Sequence, residues 1–134
     1  MAEAYLKSKQ IPGLSISSSG IYATHNENGP LSKYAETVLT ENNIITFAAQ
    51  TWTQTTKDLL EAADLVIFMS NHQFEYCRDE LDSSPKKYLI WNIGDVETNP
   101  QGDDDAARRR KILEDEDIFL QIQNKVDDLI KNLN

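Results

Sequence analysis

Leu65-Val66-Ile67-Phe68-Met69 is the most apolar run in the chain. Its shortness and its β-branched pair Val66 and Ile67 favour a buried parallel strand over a helix. A second such run, Tyr88-Leu89-Ile90-Trp91-Asn92-Ile93, lies one helix-length further on. Between them Asn71–Leu81 reads as a helix, broken by Ser83-Ser84-Pro85. Strand, helix, strand in this order is the unit from which parallel sheets are built.

The same alternation extends in both directions. Upstream, Thr55 reads as an N-cap with Asp58 three residues on, and the helix it opens runs to about Ala63. Residues 44–54 are ambiguous, read as extended with a turn. Before them, Pro30 suits the first turn of a helix. Its face is formed by Leu31, Tyr34, Ala35, Val38 and Leu39, and Asn42-Asn43 ends it. Residues 18–29 are rich in Ser, Asn and Gly and form a loop. Leu14-Ser15-Ile16-Ser17 alternates apolar and polar, a short strand. Ala2–Lys9 is a short helix with Tyr5 and Leu6 inward, stopped by Pro12-Gly13. Downstream, Gly94–Asp105 is a polar loop. A long helix from about Ala106 to Leu133 carries Phe119, Ile122, Val126, Leu129, Ile130 and Leu133 on one face. The pattern predicts an α/β fold: an open, mostly parallel sheet covered by helices on both faces, in a single domain over 1–134. No internal repeat is present.

Composition narrows the function classes. The chain has 134 residues, 13 Lys plus Arg against 22 Asp plus Glu, and a formal net charge of −9. Phosphate contacts need clustered positive charge, so a nucleic-acid partner is not expected. Neither is a membrane partner: there is no basic amphipathic stripe, and no apolar run approaches about 18 residues. The N-terminal residues do not show the charged-then-apolar pattern of a signal peptide, so none is expected in this stretch. The single cysteine, Cys77, leaves no intrachain disulfide and no thiolate zinc cluster, and the expected compartment is a reducing, cytoplasmic one. Asp103–Asp105 followed by Arg108–Arg110 reads as a solvated helix start, with the acids at the favourable end of the dipole.

In parallel sheets, ligands bind beyond the C-terminal ends of strands. Those positions hold Ser18 to His25, Ser70-Asn71-His72, and Gly94-Asp95-Val96-Glu97. None is a glycine-rich phosphate loop. His25 and His72 have no ligand spacing. Asp95 is either a turn residue or an acid catalyst. Cys77 sits mid-helix beside Arg78, without the positive, open nest of a reactive thiolate, and reads as structural.

Taken together, several segments resemble the low-molecular-weight protein tyrosine phosphatases. Ser18-Ser19-Gly20-Ile21-Tyr22-Ala23-Thr24-His25 resembles the family's S-A-G-T-x-A-W-H stretch. Thr55 to Met69 is similar to T-x-x-D-l-x-x-A-D-l-v-l-x-M, with His72 near the histidine that follows. Trp91-Asn92-Ile93-Gly94-Asp95 resembles the W-x-I-P-D acid loop. Met1-Ala2-Glu3-Ala4 resembles the helix start that follows the phosphate-binding loop. The resemblance spans essentially the whole chain, and its specificity lies in shared order and spacing.

What the resemblance implies is a phosphomonoester hydrolase working through a phosphocysteine, with Asp95 as general acid, Tyr22 and Thr24 at the substrate pocket, and no metal or organic cofactor. The implied substrate is a phosphotyrosine protein or a small aryl phosphate. The chain departs from the family in lacking the strand and the C-x-G-N-x-C-R-S-P loop that carry the nucleophile and the phosphate-clamping arginine. Since family members read R-S-P-M-A-E-A, Met1 coincides with an internal methionine, and the chain is expected to be an N-terminally truncated, inactive phosphatase domain. Val96 and Gly94 also stand where the family places prolines around the acid. Two alternatives remain: a non-catalytic interaction or regulatory protein on the remnant fold, and an arsenate reductase of the same fold. The absent strand is central in the family. Either Leu14–Ser17 shifts to pair directly with Leu65–Met69, or a second copy of the chain covers the exposed edge; the second, a homodimer, is the one expected.

Overall fold

Val66–Phe68 forms strand β1 and Tyr88–Ile90 forms strand β2, paired in parallel with Val66 opposite Tyr88, Ile67 opposite Leu89 and Phe68 opposite Ile90. The computed structural model describes residues 1–21, 33–49, 51, 53–83, 85–94 and 105–133, without the side chains of 105–108. In chain order its helices are α1 (Ala2–Ser8), α2 (Lys33–Glu41), α3 (Lys57–Ala62), α4 (Asn71–Asp79) and α5 (Asp105–Lys131), with a 3-10 turn at Ile45–Phe47. The chain is thus mixed α/β, with a two-stranded parallel sheet among the described residues. It divides into two compact units. One comprises Met1–Ser18, Glu27–Thr51 and Asp95–Asn134, the other Ser19–Asn26 and Trp52–Gly94.

The second unit is the β1–α4–β2 crossover with α3 ahead of it. Its core is Leu60 of α3, Phe68 of β1 and Cys77 of α4, with Ile21, Val66, Phe74, Tyr76, Leu81 and Ile90 packed against them. Phe74 stacks on Tyr88 at 4.6 Å between centroids and meets Phe68 edge-on at 5.5 Å. Hydrogen bonds continue beyond the strand ends, from Trp91 N–H to Phe68 O (2.9 Å) and from Ile93 N–H to Met69 O (2.8 Å). The expected buried strand 88–93 is shorter and more exposed than its sequence predicts: it spans Tyr88–Ile90, Tyr88 and Leu89 are each 41 % exposed, and Asn92 breaks the extended conformation with φ of 55°. Asn tolerates that left-handed geometry better than most residues.

In the first unit α5 packs against α1 and α2, and α1 packs against the 3-10 turn. The buried set is Ala4, Tyr5 and Leu6 of α1, Ala35, Val38 and Leu39 of α2, and Phe119, Ile122 and Val126 of α5. Tyr5 meets Phe119 edge-on, with centroids 5.7 Å apart, and its hydroxyl donates to Asp127 Oδ1 at 2.9 Å. Glu3 accepts from both Lys7 Nζ (2.8 Å) and Ser18 Oγ.

Four further expectations need correction. Leu14–Ser17 is not a strand: no described strand lies beside it, the Leu14 N–H donates locally to Ile11 O at 3.4 Å, and Leu14, Ser15 and Ser17 are exposed. Alternation gives a segment strand propensity, but a strand exists only if a neighbour takes its hydrogen bonds. The α3 N-cap is Thr56, whose hydroxyl accepts from Leu59 N–H at 3.3 Å. Thr55 is instead buried, hydroxyl to hydroxyl with Ser19 at 2.7 Å. The 44–54 segment divides into the 3-10 turn and an isolated parallel bridge of Gln54 with Gly20. Finally, Leu133 is 45 % exposed, because α5 ends two residues before it. Pro30 and Leu31 lie outside the described residues.

Candidate functional site

Parallel pairing puts the C-terminal ends of β1 and β2 at the same end of the sheet. Two loops leave from there: Met69-Ser70 into α4, and Trp91-Asn92-Ile93-Gly94 toward Asp95. The bond from Ile93 N–H to Met69 O ties one to the other. The first is also fixed internally, since Gln73 Oε1 of α4 accepts the N–H groups of Met69 (2.9 Å) and Ser70 (3.3 Å). Trp91 and Ile93 are buried, 8 % and 5 % exposed, so the chain entering the Asp95 loop is anchored on both sides of Asn92.

Asp95, Tyr22, Thr24 and His25 themselves lie outside the described residues. His72 is described: it is exposed in the first turn of α4. The segment leading to Tyr22 is held at its start. Gly20 exchanges backbone bonds with Thr53 O and Thr55 N–H, both at 3.0 Å, and Gln54 Nε2 donates to Ile21 O at 2.7 Å. Gln54 Oε1 is buried without a hydrogen-bond partner among the described residues. Ser19, Gly20 and Ile21, three residues of the S-A-G-T-like stretch, are thereby bound to the chain segment that opens α3.

Cys77 is 1 % exposed, and burial pushes its thiol above the ordinary range. The neighbouring Arg78 does not lower it: the guanidinium makes two bonds to Asp79, at 2.8 and 3.1 Å, and lies over the Phe74 ring. A thiol in this setting is neither a nucleophile nor an exchange partner. Among the described residues no group of three or more His, Cys, Asp or Glu is placed to hold a metal ion. No described helix is long and apolar enough to cross a membrane.

The sequence reading passed over one polar site in the first unit. Lys111 and Asp115 are each only 5 % exposed, on the side of α5 that continues through Phe119, Ile122 and Val126. Among the described residues Lys111 Nζ makes no hydrogen bond, and it lies 3.8 Å from the Glu114 carboxylate. Burial pushes the Asp115 carboxyl upward. Lys111 pulls it back, Glu114 pushes it up, and the Met1 ammonium pulls it down. The signal was in the spacing: 111, 115, 119, 122 and 126 form one helical stripe. Charged residues are seldom fully buried, so composition does not mark Lys111 and Asp115 as part of that stripe.

No family model, no curated protein and no solved structure matches the chain.

Proposed function

We propose that this chain is a portion of a low-molecular-weight protein tyrosine phosphatase-like domain, and that residues 1–134 by themselves do not hydrolyse phosphomonoesters. The observation that carries the reading is the parallel pair itself. β1 lies in the Thr55–Met69 segment that is similar to the family's, and β2 leads directly into the Trp91–Asp95 stretch that resembles its acid loop. In this reading the pair belongs to a three-layer open parallel sheet with helices on both faces.

The outer edge of β1 supports the same reading. Val66 and Phe68 turn their backbone groups toward β2, with Val66 N–H on Lys87 O at 3.1 Å and Trp91 N–H on Phe68 O at 2.9 Å. Alternation turns the N–H and C=O of Ile67 the other way, where no described strand pairs with them. A two-stranded sheet is marginal alone, and an apolar run such as Leu65–Met69 suits a central strand. Either a further strand of the domain or a second copy of the chain takes that edge.

The chemistry proposed for the complete domain has two steps. A cysteine thiolate held by an arginine and backbone N–H groups attacks phosphorus while Asp95 protonates the departing phenolate. Asp95 then takes a proton from the water that hydrolyses the phosphocysteine. Tyr22 and Thr24 border the pocket for a phosphotyrosine protein or a small aryl phosphate, and no cofactor takes part. The sequence 1–134 contains no C-x5-R loop, and Cys77 is buried, so this chain cannot carry the first step alone. The burial of Cys77 also weighs against an arsenate reductase that relays a disulfide through it.

The test is a fusion that places the strand and C-x5-R loop of a family member ahead of Met1. The expected outcome is turnover of para-nitrophenyl phosphate, and on ordinary aryl phosphates an Asp95→Asn loss of about 10²–10⁴-fold. A folded fusion without turnover, or one indifferent to Asp95→Asn, overturns the proposal in favour of a non-catalytic interaction protein.

A further inference from the structure

We draw no further inference here: the strongest candidate, the unpaired outer edge of strand β1 at Ile67, carries nothing beyond the reading above because nothing in the structure shows what covers it.

Discussion

Replacing Lys111 with Met tests how the α5 core tolerates charge. The substitution keeps a long unbranched side chain and removes the ammonium, so packing changes little. Asp115 stays buried and loses the stronger of the two cations that pull its carboxyl down, the Met1 ammonium remaining. Its remaining escape is to take up a proton. For a carboxyl of ordinary pKa that costs about 4 kcal/mol at pH 7 and under about 0.5 kcal/mol at pH 4. Relief of the unbonded Lys111 Nζ offsets part of it, leaving an expected loss of about 2–4 kcal/mol at pH 7. The sign with pH follows from the direction of the shift. Asp115 is raised in the folded state, so its favourable contribution is complete below the ordinary carboxyl range. That contribution is lost as pH rises through the raised value. Removing Lys111 extends this window upward. Urea unfolding followed by circular dichroism should therefore show a Lys111→Met deficit at pH 7 that nearly vanishes at pH 4. The double variant Lys111→Met/Asp115→Leu should recover the parent's stability at pH 7 or exceed it by about 1–4 kcal/mol. A deficit independent of pH, or a double variant as weak as the single one, would refute the reasoning.

Further outcomes follow from the second unit and from the proposed function. Phe68→Ala should destabilise the chain by about 3–5 kcal/mol, measured by the same unfolding assay, because Phe68 is 5 % exposed and joins α3, α4 and both strands. A loss under about 1 kcal/mol would mean that the aromatic cluster is not a core. Purified residues 1–134 should show no para-nitrophenyl phosphate turnover above a Cys77→Ser control, and any excess would restore Cys77 as a nucleophile. Light scattering at micromolar concentration should find a dimer or larger species if a second copy covers the β1 edge. A compact monomer whose 65–69 amides resist hydrogen exchange would remove the second copy and leave a sheet closed within the chain.

The elements that sequence determined are those whose signal is local. Leu65–Met69 and Tyr88–Ile93 are consecutive apolar runs, and Val66–Phe68 and Tyr88–Ile90 within them form the parallel pair. The burial expected of the second run does not follow at its start, since Tyr88 and Leu89 are each 41 % exposed. The helices at Ala2–Ser8, Asn71–Asp79 and Asp105–Lys131 follow from spacing and breakers within a few residues. Of the candidate site, sequence pointed to the chain beyond β2, and the structure describes the anchored approach to Asp95 through Gly94. Tertiary structure decided what depends on a partner distant in sequence. Leu14–Ser17 has the alternation of a strand and is none, since backbone groups pair only with a neighbour that is present. Thr55 has the chemistry of a cap, yet its hydroxyl meets Ser19, thirty-six residues away, and Thr56 caps instead. Lys111 and Asp115 look like surface residues in any window of sequence. They are buried because the stripe they share with Phe119, Ile122 and Val126 faces the rest of the unit, and burial of a charge is set by what packs over it rather than by the residue itself.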